Sequence, residues 1–257
     1  MGKYFTKTIK PSITTSAATA YADTDLLFDW YAFEIPKGAA RIISTSITCA
    51  GTNGFDANAQ DLDLIFAKSI DGVAPTTLGT PNQKLSDGTL TAAICAKVKN
   101  NIIGYSSIDK SAISNDGDLV AYNVWQGPTT NVLDSIVLEG DMAYGSTEGF
   151  QTIWMAAIAK GAFDFGTDIQ LNQVGHQAAA TAATQITIEQ GGGGAGVAAK
   201  SFQVGDILRG QTGGPTMELV SLDSATAITV KNISEQIDND EELLLDAPII
   251  FRFGFEY

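Results

Sequence analysis

Few side chains in this chain could run a reaction at neutral pH. His176 is the single histidine, in Val174-Gly175-His176-Gln177. A hydrolytic triad needs an imidazole base beside a nucleophile. No Gly-x-Ser-x-Gly elbow supplies that nucleophile, so His176 reads as an ordinary loop residue. The run Gly191-Gly192-Gly193-Gly194-Ala195-Gly196 invites a phosphate-binding reading. A P-loop requires Gly-Lys-Ser/Thr directly after the glycines and then a helix. Here Val197-Ala198-Ala199 precedes Lys200-Ser201, and Phe202 opens a strand pattern, so the run reads as a mobile surface loop. Cys49, Cys95 and His176 lack zinc-ligand spacing. The two cysteines lie in apolar stretches and read as reduced core residues, with a disulfide between them left open.

Carboxylates spaced two apart occur at Asp61 with Asp63 and at Asp116 with Asp118. On a strand such a pair shares a face, and in a loop it can help to hold calcium. Neither stretch has a full EF-hand loop, so both pairs read as solvated acids. Two carboxylates could also serve a glycosidase. However, Trp30, Trp125 and Trp154 all fall in strand patterns and read as core, not as a sugar groove. The expectation is a chain with no catalytic, cofactor-binding or metal-binding residue, and no enzymatic activity.

The elements that would position any site are strands. The 257 residues suffice for one large domain, or one large and one small. Charged residues make up 17% and the net charge is −14. A phosphate backbone would be repelled by that balance, so nucleic acid is not an expected partner. No run approaches the ~20 apolar residues of a spanning helix, and no apolar stretch follows the N-terminus like that of a signal peptide. The expectation is therefore no membrane partner and synthesis in a cytoplasm.

The clearest strand is the last. Ile249, Phe251, Phe253 and Phe255 alternate with Ile250, Arg252, Gly254 and Glu256. This is period two with one apolar face. Its partners must lie earlier in the chain. Leu27 to Ile35 carries large side chains on both faces, which predicts a strand that is central or covered on both sides. Pro36-Lys37-Gly38 ends it. Arg41 to Cys49 follows, with Ile43, Thr45, Ile47 and Cys49 on one face. Leu62, Leu64 and Phe66 then oppose Asp61, Asp63 and Ile65. Further strands are expected at Ile102 to Ile108, Leu119 to Trp125, Ser135 to Leu138 and Gln151 to Ala159. Leu90 to Val98 fits a helix or a strand. Thr6 to Pro11 reads as an extended arm reaching a neighbour or as a poorly ordered terminus. Residues 71–88 form a long loop suited to an interface. Short strands with regular turn signals indicate an all-β fold, a jelly-roll-like β-sandwich over residues 1–172.

The composition shifts after about Gln173, with alanine-rich and glycine-rich runs around Gln185 to Glu189. Ile207 to Gly210, Met217 to Leu222 and Ala227 to Ile233 are then short strands joined by turns. They predict a small β-barrel module inserted over residues 173–246. Residues 247–257 would return to close the sandwich.

Phe202-x-Val204-Gly205-Asp206, then Gly210-Gln211-Thr212-Gly213-Gly214, then the strand Met217–Leu222 and Ile228-Thr229-Val230, resembles small β-modules in structural proteins of tailed bacteriophages. The closing turn departs from that pattern. Ile237-Asp238-Asn239-Asp240-Glu241 stands where phenylalanine and glycine are expected. The Thr-, Ala- and Gly-rich front part is similar to head-decoration (cement) proteins. This resemblance implies a virion structural protein, assembled in the host cytoplasm, with the major capsid protein and its own copies, as a homotrimer or other symmetric oligomer, for partners. A tail, neck or fibre component and a carbohydrate-binding adhesin are the alternatives.

Overall fold

The structure is a computed structural model. It describes residues 2–13, 20–49, 60–84, 98–108, 114–116, 119–124, 136–141, 149–163, 165, 180–188, 202–210, 216–231, 233, 235–237 and 243–257. The protein is all-β, with antiparallel sheets and a half-barrel curl. Its strands are β1 (Tyr4–Ile9), β2 (Leu26–Pro36), β3 (Ala40–Cys49), β4 (Leu62–Ala67), β5 (Ile102–Ile108), β6 (Ser114–Asp116), β7 (Leu119–Val124) and β8 (Val137–Leu138). They continue with β9 (Phe150–Ala159), β10 (Thr184–Thr187), β11 (Ile207–Gly210), β12 (Thr216–Ser224), β13 (Ala227–Lys231), β14 (Leu243–Leu245) and β15 (Ile249–Glu256).

Three sheets form. A six-stranded sheet runs β1-β15-β3-β7-β6, with β8 paired to β3. A four-stranded sheet runs β2-β9-β4-β5. These two share one core, and the period-two pattern of β15 is its centre. Ile249, Phe251, Phe253 and Phe255 are all fully buried. The Phe251 ring meets Phe28 at 5.8 Å, and Phe253 meets Phe66 at 5.8 Å, both edge-on. Each buried side chain of this size contributes roughly 1.5–3 kcal/mol. β15 therefore sits between β1 and β3 and joins the last residues to the first half of the chain.

β1 corrects one expectation. The N-terminal segment neither reaches out as an arm nor lies loose. It pairs antiparallel with β15, from Tyr4 opposite Glu256 to Ile9 opposite Phe251. Phe5 stacks on Phe255 at 4.8 Å and Ile9 is fully buried, so apolar side chains fix the strand in place.

β3 corrects another. Ile42, not Ile43, enters the core. Phe253 faces Thr45 and Gly254 faces Ser44, but Phe255 faces Ile42. The extra residue in β3 is a bulge, which reverses the alternation beyond it.

β2 meets the second of its two expectations: it is the outer strand of its sheet, and it is covered on both sides. Its large outward side chains are explained by the loop that follows β4. Trp30 Nε1 donates to the Thr76 carbonyl at 2.8 Å. The Leu78 amide donates to Asp29 Oδ1 at 3.0 Å. The Leu26 amide donates to the Gln83 carbonyl, the Leu26 carbonyl accepts from the Asn82 amide, and Asp25 bridges to Lys84. Leu26, Leu78, Val98 and Ala156 form a small second core on this side, with Trp30 against it. Residues 71–84 thus cover a sheet face and its edge. Trp30 and Trp154 are half-buried, outside the main core.

The third sheet runs β10-β13-β12-β11-β14, an open path among the described residues. Ile186, Phe202, Leu208, Met217, Leu219, Ile228 and Val230 form its own core, separate from the first. Val98 is helical, and residues 90–97 lie outside the described residues.

Candidate functional site

The five-stranded sheet meets the body at a polar junction. Its first part is the turn of the Phe202–Asp206 motif. The Asp206 amide donates to the Gln203 carbonyl at 3.0 Å, and Gly205 has φ +91°. This is a type II turn, whose third position requires positive φ and hence favours glycine. Asp206 Oδ2 closes it by accepting from the Gln203 amide at 2.7 Å. The Gly205 amide donates to the Leu219 carbonyl, which fastens the turn to β12.

Four residues further on, β11 carries Arg209, which is 7% exposed. Its Nη2 donates to the carbonyl of Ile13, and its Nε lies 3.9 Å from Asp246 Oδ1. Asp246 Oδ1 also accepts from Ser12 Oγ at 2.7 Å. The backbone repeats the link, with Ile13 N donating to Asp246 O and Asp246 N to Ile207 O. One buried guanidinium therefore ties together the segment after β1, the strand β11 and the connection from β14 to β15.

Beside this junction lies a small cleft of about 150 Å³, lined by Lys10, Asp206, Asp246 and Ile250 among others. Burial pushes the Asp206 carboxyl above its usual range, opposed by the Gln203 amide and the Lys10 charge. The cleft brings a cation and two carboxylates together, but no nucleophile beside a base. Its chemistry is that of a docking joint.

A second polar pair lies on the outer side of β4 and β5. Asp63 is 6% exposed and not the solvated acid its sequence suggests. Its neighbour on β5 explains this. Burial, together with a hydrogen bond to Asp63, raises the Tyr105 phenol to about 12. Asp61 is half-buried, and its carbonyl accepts from the Lys160 amide. At the far end of the six-stranded sheet, Glu256 accepts from Arg41 and Tyr4, which lowers its carboxyl.

His176, Cys95, Asp118, Trp125, Gly191–Gly196 and Asp238–Glu242 lie outside the described residues. Asp116 ends β6. Cys49 is buried at the end of β3, opposite Ile249. Among the described residues no group of three or more His, Cys, Asp or Glu side chains converges as for a metal. No described helix is long and apolar enough to cross a membrane. Arg209, Asp246 and Tyr105 carry no motif in the sequence. The one available signal was Arg209 itself, a charge inside the short apolar run Ile207-Leu208-Arg209-Gly210. No protein-family model and no curated protein matches this chain.

Proposed function

We propose that this chain is a non-enzymatic structural protein of a tailed-phage particle, bound to the outside of the head as a decoration or cement protein. The observation that carries this reading is the Phe202–Asp206 turn. The residues that resemble phage β-modules form a tight glycine turn, fastened to β12, that leads into β11 of a five-stranded sheet with its own core. On this reading the two facing sheets are a jelly-roll-like sandwich, residues 173–246 are an inserted barrel-like module, and Arg209 fixes the module to the sandwich. Such a body works through contact surfaces. Each copy would bury on the order of 1,000 Å² or more against the major capsid protein and its own symmetry mates, as a homotrimer. Shared contacts tie neighbouring shell subunits together against internal pressure. The charge of −14 would complement basic shell patches and speed encounter.

A density map of the intact particle tests this. Density for the chain on the outer surface of the head is expected. Density confined to the tail, neck or fibres would make it a component of those parts. A particle without the chain would overturn the reading.

A further inference from the structure

β1 is the outermost strand of the six-stranded sheet. Its hydrogen-bonding phase shows what its far edge offers. Lys3 and Tyr257 exchange both backbone hydrogen bonds, at 3.1 and 3.0 Å. In an antiparallel ladder such pairs alternate with pairs that make none. Phe5, Lys7 and Ile9 therefore turn their amides and carbonyls toward β15, whereas Tyr4, Thr6 and Thr8 turn theirs away from the sheet. The side chains of these three are exposed. The β2 edge of the four-stranded sheet, by contrast, is bridged at its end by Asn82 to Lys84. Among the described residues β1 presents an open, bulge-free edge.

The charge along this edge selects its occupant. Lys3 and Lys7 lie along it, whereas Lys10, just past its end, faces Asp206 and Asp246 across the cleft, and the first acidic residue in sequence is Asp23. The rest of the chain is strongly acidic. A second copy pairing β1 with β1 about a twofold axis would bring both sets of lysines to one seam, where like charges oppose pairing. An acidic strand is attracted instead. We propose that β1 is a docking edge for an extended acidic segment of a different protein, which adds to the sheet through the backbone of Tyr4, Thr6 and Thr8, with the lysines choosing the sign of its side chains. This inference stands apart from any placement on a particle.

The test is binding of a fluorescent synthetic peptide of alternating glutamate and valine to the full chain, followed by anisotropy, with a lysine–valine peptide as control. The glutamate peptide is expected to bind, more weakly as salt rises, and the lysine peptide not to bind. Thr6→Pro removes an amide that faces away from β15, so the existing ladder is kept. It is expected to weaken binding at least about tenfold with the melting temperature unchanged. Should Thr6→Pro disturb folding, hydrogen exchange on the unaltered chain decides. The amides of Tyr4, Thr6 and Thr8 then slow on adding peptide, while those of Phe5, Lys7 and Ile9 are protected beforehand. No glutamate-peptide binding, equal binding of both peptides, or unchanged exchange at the three outward amides would overturn the proposal. So would sedimentation showing a dimer that Thr6→Pro dissolves, because the occupant would then be a second copy.

Discussion

Arg209 Nη2 donates to the carbonyl oxygen of Ile13 across 2.6 Å, joining positions 196 apart in the chain. A buried guanidinium stays charged, so its partners must remain in place. Arg209→Met leaves the Ile13 carbonyl without its side-chain donor and the Asp246 carboxylate without the nearby positive charge. The expected loss in urea unfolding is about 2–3 kcal/mol, with faster amide exchange at Ile13 and Asp246. Arg209→Lys does not restore stability, because an ammonium cannot reproduce the planar fork.

Phe253 tests the shared core. Its ring is fully buried between Phe251 and Phe255 and meets Phe66 from the facing sheet. Phe253→Ala is expected to lower unfolding stability by about 3–5 kcal/mol. Phe253→Leu keeps most of the volume and has a smaller effect. If the two effects were equal, the ring would not be filling the space between the sheets.

Gly205 isolates backbone conformation from packing. A Cβ built there meets nothing within 4 Å, yet φ is +91°. Gly205→Ala is expected to lose about 1 kcal/mol in thermal or urea unfolding. Gly205→Asn, which tolerates positive φ better, loses less.

Tyr105 gives a spectroscopic readout. Of the seven tyrosines, Tyr105 is expected to ionise with a midpoint of about 12 in an ultraviolet titration of the folded chain. Tyr105→Phe deletes that late component, and Asp63→Asn moves it earlier. The phenol is raised in the folded state, so its contribution is complete below the ordinary tyrosine value of about 10. It is lost as the pH rises through about 12.

Strand positions were legible wherever the apolar pattern is strong, with one face buried in β15 and both in β4 and β9. β4, β9 and β15 match their expected spans closely, because Leu62-x-Leu64-x-Phe66 and Ile249 to Phe255 state the period directly. The bulge in β3 was not legible, since an extra residue is set by the partner strand and leaves no local signature. The outer face of β2 indicates a strand that is central or covered on both sides, and the second is what the fold shows. A covering loop places the same apolar demand on it, and sequence alone does not separate the two. Arg209 and Asp63 were missed for a related reason. A buried polar group depends on partners that only the fold brings near, here Ile13 and Tyr105.

The hydroxyl of Tyr4 bonds to a carboxylate 252 positions away, and this separation has a consequence for biosynthesis. At roughly 5–20 residues per second, the first strand leaves the ribosome on the order of 10–50 s before the strand that will hold it. Throughout that interval Phe5 and Ile9 have no place to pack, and β3 also waits for the same late neighbour. The nascent chain therefore exposes these apolar side chains until β15 has been made, and the six-stranded sheet is completed only then.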